Sequence, residues 1–231
     1  MPKIKMPKGN PSLDMTPMVD LAFLLVTFFM LTASFREAET VTVITPKARS
    51  VADKELPKNA LVITVDPTGR VYFDAQLDGG PAPRLELLDS ITENYKLKNK
   101  LNDKLKNEFL RCGSFGIALE KLPEYLAQKD DVKRKKMNEA GLGVPIDSLN
   151  NQIGNLATYG MKIGMRNFKE KREQAKRENA PLDKETERKI MPKLCIKADL
   201  DAPYIRVKQV IKALTDRKQY HFTLITTMEQ N

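Results

Sequence analysis

Hydrophobic residues are concentrated near the start of the chain, in one run that extends from Pro17 to Phe35. A helix of these roughly 19 residues would be about 28 Å long, which is close to the thickness of a bilayer's hydrocarbon core. Asp20 is the only ionisable residue in the run. A carboxylate is costly in hydrocarbon, so an aspartate in a membrane helix is a candidate functional residue. The pattern predicts a transmembrane helix over residues 15–35 with Asp20 as a proton carrier.

The polar residues of this region share one face of the predicted helix. Seven residues turn a helix through nearly two full circles, so a narrow stripe contains Thr16, Asp20, Thr27 and Ser34. Within a bilayer such a stripe must face protein or water. For Thr27 and Ser34, simple helix–helix packing explains the position equally well. It explains Asp20 less well, because a threonine or an asparagine would bond across helices without the cost of ionisation.

The residues before the hydrophobic run are basic. Three lysines and no acidic residue precede Asp14, and positive charge favours retention of that end in the cytoplasm. Residues 1–14 are therefore predicted to be a cytoplasmic tail. The alternative is a cleavable signal peptide, since residues 21–31 have the length of its apolar core and small residues follow. Asp14 and Asp20 interrupt the part that should be purely basic, which favours the anchor.

After the hydrophobic run the chain alternates between strand-like and helix-like patterns, which predicts an α+β domain over residues 60–231. The local signals are alternation and β-branched residues for strands, a Pro-Thr-Gly turn, and helical spacing after Ala202-Pro203. The predicted elements, in chain order, are a linker at 36–59, hairpin strands at 60–66 and 70–74, a strand at 194–197, a helix at 203–216 and a closing strand at 222–228.

A charged stretch at residues 85–190 separates the hairpin from the next strand and is predicted to be mainly helical. Apolar residues recur at helical spacing in two places, which are Leu97, Leu101, Leu105 and Phe109, and then Ile146, Leu149, Ile153, Leu156 and Ile163. Proline and glycine punctuation predicts that the second helix begins at Pro145 and stops at Gly164. We expect its apolar stripe to pack on the domain's own core; the alternative is docking to a partner or a second copy. Residues 133–136 and 168–187 are predicted to be solvated helix or linker.

Composition excludes several classes of function. The net charge is +9, but acidic and basic residues are mixed throughout, which favours a solvated surface over nucleic-acid binding. The sequence has no nucleotide-binding loop and no zinc-ligand spacing, so neither a cofactor, nor a metal, nor an enzymatic activity is predicted. Cys112 and Cys195 are too few for a disulfide framework, and their pairing stays open. His221 has no second ligand candidate and is assigned no chemistry.

The predicted helix opens with the motif Met15-Thr16-Pro17-Met18-Val19-Asp20, which is followed by Leu-rich hydrophobic residues and then by Phe28-Phe29-Met30. This pattern resembles the transmembrane signature of the ExbD/TolR family, the small stator subunits of proton-driven motors in the inner membrane of Gram-negative bacteria. The resemblance implies that Asp20 is the proton-binding residue. A second segment, Ala198-Asp199 with Pro203-Tyr204 and Val207, resembles the family's periplasmic domain, whose small sheet is covered by helices on one face.

The resemblance also implies a location and partners. We expect a single-pass inner-membrane protein with a cytoplasmic N-terminus, inner-membrane lipid around residues 15–35, and a periplasmic C-terminal domain. The implied partners are an ExbB/TolQ-like pentamer around a homodimer of this chain, and a TonB-like or TolA-like protein. The segment with Val41, Val43 and Pro46 resembles the family's post-membrane pattern and implies a partner contact, although Thr45 departs from it. The alternative, which we favour slightly, is an edge strand.

The function implied by the resemblance is a proton-motive-force-driven subunit that energises TonB-dependent transport across the outer membrane. The alternative within the family is a TolR-like subunit of the Tol-Pal envelope system, whose outer domain contacts peptidoglycan. The alternative from another class is a secreted basic binding protein with a cleaved signal peptide. The insertion at residues 85–190 lies outside the resemblance.

Overall fold

A computed structural model of the chain describes residues 16–32, 43, 47–48, 59–97, 101–178, 182–225 and 227–228. The chain divides into two compact units, Met1–Glu37 and Ala38–Asn231. Helix α1 (Thr16–Thr32) forms the described part of the first unit. The second unit is a mixed α+β domain.

The second unit contains a four-stranded sheet and seven described α-helices. Its elements are β1 (Lys47–Ala48), β2 (Ala60–Val65), β3 (Val71–Gln76), α2 (Pro81–Asn94), α3 (Asp103–Arg111), a short 3-10 helix (Leu119–Lys121), α4 (Leu122–Ala127), α5 (Asp131–Glu139), α6 (Gln152–Arg177), α7 (Lys184–Ile190), β4 (Lys193–Ala198), α8 (Tyr204–Thr215), β5 (Thr223–Ile225) and β6 (Thr227–Met228). The strand order in the sheet is β3-β2-β4-β5, and β1 pairs separately with β6. β2 is antiparallel to β3 and parallel to β4, and β4 is parallel to β5.

The predicted hairpin is confirmed, and its turn is held by one carboxylate. Asp66 accepts hydrogen bonds from the Thr68 hydroxyl at 2.7 Å and from the Arg70 backbone N–H at 2.8 Å. Gly69 has a φ of 81°, a conformation that glycine adopts at little cost. The strands then pair in register from Val65 with Val71 back to Ala60 with Gln76.

One face of the sheet carries the main core. Successive strand residues point to opposite faces, and the buried residues of the main-core face are Leu61, Ile63, Val65, Val71, Phe73, Ala75, Leu194 and Ile196. Helices α2, α6 and α8 contribute to the same cluster, with Leu88, Leu156 and Leu214 fully buried. The opposite face carries a smaller cluster, Ala60, Val62 and Cys195, to which no described helix contributes a buried residue. Helices α2, α6 and α8 therefore pack on the main-core face of the sheet.

The predicted helix at 145–164 is wrong at both ends. α6 begins at Gln152, because the side chain of Asn151 accepts a hydrogen bond from the Gly154 backbone N–H at 2.8 Å and caps the helix there. Leu149 precedes the helix and is fully exposed, whereas Ile153, Leu156 and Ile163 are buried as expected.

Gly164 does not end α6, which continues to Arg177. A Cβ atom at Gly164 would lie 2.8 Å from the Cβ of Pro192. The glycine therefore permits close packing inside the helix instead of terminating it.

The pattern from Leu97 to Phe109 is not one helix. α2 ends at Asn94 and α3 begins at Asp103, because Asn102 caps α3 through the backbone N–H of Leu105. Leu97 and Phe109 are nevertheless buried in the main core. The predicted continuous helix is therefore wrong, because the pattern begins after the end of one helix and finishes within the next.

Arg134 is an exception in the basic stretch 133–136, which was predicted to be solvated. Its guanidinium donates to Glu108 Oε2 at 2.8 Å and to the Gln128 carbonyl at 2.6 Å, and it lies 5.9 Å from the centre of the Tyr125 ring. The hydrogen bond from Arg134 lowers the pKa of Glu108. Arg134 therefore joins α3, α4 and α5.

Candidate functional site

Helix α1 (Thr16–Thr32) forms inside the predicted range. Pro17 occupies its first turn, where the missing N–H of proline costs no intrahelical hydrogen bond. The helix has 17 residues, or about 25 Å at 1.5 Å per residue. Within residues 16–32 and the other described ranges, we find no helix with both the length and the apolar character needed to cross a membrane. The transmembrane helix therefore stays a prediction.

Large hydrophobic side chains surround α1 on every side and are exposed. Those with more than half of their surface accessible are Met18, Val19, Leu21, Phe23, Leu24, Leu25, Val26, Phe28, Phe29, Met30 and Leu31. A helix that is apolar all round belongs in the core of a large protein or in a membrane. The hydrophobic effect opposes contact between water and this surface by about 25 cal/mol per Å². Helix α1 therefore requires apolar surroundings.

Asp20 and Thr27 are the polar residues among the described side chains of α1, at residues 17–31. Asp20 lies in the second turn and is exposed. Thr27 lies on the same face, because seven residues bring a helix back to within about 20°. Its side chain is the least exposed of that group, and its hydroxyl donates a hydrogen bond to the Leu24 carbonyl at 3.0 Å. The structure thus keeps Asp20 and Thr27 on one stripe.

The other predicted site residues are only partly described. The side chains of Thr16 and Ser34, and the residues Val41 and Pro46, lie outside the described part of the chain. Val43 is described and is buried, with 8% of its surface exposed. The partner contact implied for this segment stays a prediction.

The second unit contains both cysteines and the single histidine of the chain. Within its described residues, no group of three histidine, cysteine or carboxylate side chains is placed to hold a metal ion. Cys112 and Cys195 are free and buried, and burial raises the pKa of both thiols. His221 is exposed. The candidate site is therefore the polar stripe of α1, and the structure adds no residue that the sequence had missed there.

Comparison with known proteins identifies one matching family. Residues 6–111 match the family model described as biopolymer transport protein ExbD/TolR. The match includes α1, the β2–β3 hairpin and α2, and ends with the last residue of α3; the resemblance at residues 198–207 lies beyond it. No curated protein and no solved structure matches the chain. Members of the matched family are non-enzymatic, are anchored in the inner membrane and work with ExbB/TolQ-like partners.

Proposed function

Because the chain belongs to the ExbD/TolR family over residues 6–111, we propose that it is a proton-motive-force-driven motor subunit of the inner membrane. In this proposal α1 spans the bilayer with the N-terminus in the cytoplasm, and residues 60–231 form a periplasmic domain. Asp20 carries the protons. The observation that supports this most directly is a helix that is apolar except along one narrow stripe, which carries a single carboxylate.

Asp20 works by alternating between two protonation states. Hydrocarbon favours the neutral acid, because an ionised carboxylate there loses its hydration, whereas contact with water favours the carboxylate. Binding a proton from one side of the membrane and releasing it to the other makes this alternation a transport cycle. Each proton that crosses brings about 2.3 kcal/mol for every 100 mV of membrane potential.

A single helix cannot enclose the two aqueous half-channels that this cycle needs. The partner is therefore a polytopic membrane protein of the ExbB/TolQ type, which we propose forms a pentamer around a homodimer of this chain. The periplasmic domain then transmits work to a TonB-like protein that reaches the outer membrane. In this scheme the chain is the ExbD-like member of the family, and its role is to energise outer-membrane transport.

The test of the mechanism is Asp20→Asn, which keeps the side-chain size and removes titration. The complex is purified from membranes, reconstituted into liposomes and assayed for proton flux under an imposed potential. We expect Asp20→Asn to abolish the flux. Glu173→Gln is the matched control, because it removes a carboxylate from an exposed position of α6, and its flux should be normal. Normal flux through Asp20→Asn at equal protein levels would refute the proposal.

Two further measurements separate the alternatives. Loss of siderophore or vitamin uptake in the Asp20→Asn strain supports the ExbD-like role, whereas detergent sensitivity with normal uptake supports a TolR-like role. Mass spectrometry of the mature N-terminus tests the secreted alternative. Cleavage near Ser34 would remove Asp20 and rule out the motor.

A further inference from the structure

We propose that Thr27 is a positioning residue in the proton path, and that its hydroxyl oxygen holds a water molecule between the periplasm and Asp20. The proposal rests on the function proposed above. It adds a second group of this chain to the path and assigns it the role of a hydrogen-bond acceptor.

Asp20 lies far from the periplasmic end of α1. It lies close to the start of α1, and Thr32, at the end of the helix, lies twelve positions further along the chain. At 1.5 Å per residue this is about 18 Å along the axis. A proton arriving from the periplasm must cover that distance to reach Asp20. At about 2.8 Å per hydrogen bond, a file of waters over this length has about six members.

Thr27 supplies the polar side chain on this route. Between Asp20 and Thr32 every other residue is apolar. Thr27 lies about 10 Å along the axis from Asp20 and about 8 Å from Thr32, and on the same face as Asp20. A water bound at Thr27 therefore divides one long apolar stretch into two short ones. The neighbours of Thr27 on this face, Leu24 and Leu31, offer no side-chain hydrogen bond.

The hydroxyl group of Thr27 has a defined orientation. Thr27 Oγ1 donates to the Leu24 carbonyl at 3.0 Å, so its one hydrogen is already engaged. A hydroxyl in this state has only its lone pairs to offer, and it acts as an acceptor toward neighbouring groups. A water that donates one hydrogen to Thr27 is thereby oriented. Its own lone pair accepts a proton from the periplasmic side, and it releases a different proton toward Asp20, so Thr27 itself neither gains nor loses a proton.

Two structural roles compete with this one. A threonine in a membrane helix often bonds to its own backbone simply to satisfy its hydroxyl. It can also pack against a neighbouring helix. Both roles depend on the shape of the side chain or on helix stability, whereas the proposed role depends on an acceptor oxygen that faces the path.

The experiment compares three variants in the reconstituted complex. Thr27→Val keeps the shape and removes the oxygen, and we expect a flux lower by about fivefold, the size of one lost hydrogen bond. Thr27→Ser keeps the oxygen, and its proton flux should stay within about twofold of that of the unaltered protein. This loss is smaller than the loss expected from one missing hydrogen bond. The double variant Val26→Thr with Thr27→Val moves the hydroxyl by about 100° around the helix and should not recover. Thermal stability of the complex is measured alongside and should be equal in all three.

Proton flux in D2O supplies the readout that a purely structural role would leave unchanged. If the water at Thr27 is part of the path, Thr27→Val alters the ratio of fluxes in H2O and D2O, and Thr27→Ser does not. Normal flux in Thr27→Val overturns the proposal. So does an equal loss in Thr27→Ser, since shape would then be responsible, and so does recovery in the double variant. Asp20→Asn is measured in the same series: its normal flux would end the motor function, whereas normal flux in Thr27→Val alone would end only the role of Thr27.

Discussion

Asn151 connects the ends of two helices, and Asn151→Ala measures how much this connection contributes to the free energy of unfolding. The side-chain oxygen of Asn151 accepts a hydrogen bond from the Gly154 N–H at 2.8 Å at the start of α6. Its amide nitrogen donates to the Ala213 carbonyl at 2.6 Å, in the last turn of α8. Only 4% of Asn151 is exposed, so water does not readily replace either bond.

The cost of the substitution follows from these two bonds. Loss of the helix cap costs about 1 kcal/mol. The Ala213 carbonyl is one of the four at a helix end that lack the usual partner, and leaving it without the amide of Asn151 costs about 1–3 kcal/mol. We therefore expect Asn151→Ala to lower the free energy of unfolding by about 2–4 kcal/mol in total.

Urea unfolding of the full chain in detergent, followed by far-ultraviolet circular dichroism, measures this loss. Asn102→Ala is the matched control, because Asn102 caps α3 through a single bond to Leu105 at an exposed position, and it should cost about 0.5–1 kcal/mol. A loss in Asn151→Ala no larger than that in Asn102→Ala would refute the conclusion that Asn151 locks α6 to α8.

Two further predictions concern the insertion. Leu156→Ala should lower the free energy of unfolding by about 2–5 kcal/mol because Leu156 is fully buried. Leu149→Ala should leave it unchanged because Leu149 is fully exposed. Equal effects of the two variants in urea unfolding would contradict the observed start of α6. Glu108→Gln should lower the thermal midpoint at pH 7, where the ion pair with Arg134 is intact. The pKa of Glu108 is lowered from its ordinary value of 4.5 by the hydrogen bond from Arg134, so the ion pair's contribution to stability is lost as the pH falls through that lowered pKa. The thermal midpoints of the unaltered protein and of Glu108→Gln should therefore converge in acid. Equal midpoints at pH 7 would contradict the prediction.

The sequence was sufficient to predict those helices and strands whose formation depends on their own residues. The hairpin at β2–β3 is such a case, since the turn residues Asp66 and Gly69 supply the hydrogen bonds and the backbone conformation that the turn needs. Helix α8 is another: Pro203 precedes it, and Val210 and Leu214 recur at helical spacing and are buried. Asp20 stands out on local grounds too, because a lone carboxylate in an apolar run is physically costly, and its role stays a prediction.

Predictions from sequence were wrong where the role of a residue depends on the residues that pack against it in the fold. A glycine in a helical pattern is locally a stop signal, but a Cβ at Gly160 would lie 2.7 Å from both Cδ atoms of the buried Leu61. Gly160 therefore lets α6 approach the sheet. The start of α6 depends in the same way on Asn151, whose second bond reaches a residue 62 positions away. No window of sequence around position 151 contains that partner.

The boundary of the family match lies inside one hydrophobic core. The match ends at Arg111, but β2, within it, pairs with β4, outside it, at six consecutive positions from Ala60 with Lys193 to Val65 with Ala198. Asn59 strengthens this connection, since its amide donates to the Ile190 carbonyl at 2.6 Å and its own carbonyl accepts from the Lys193 N–H at 3.0 Å.

Without the residues after Arg111, β2 would expose an edge and would lose the helix that covers Leu61. Exposed edges and exposed apolar faces are both unfavourable in a soluble domain. The residues of α6 that meet the sheet, such as Leu156 and Gly160, come from the insertion itself. Residues after Arg111 therefore supply part of the helical layer of the same domain, and a protein cut at Arg111 would contain the predicted proton site without a complete domain.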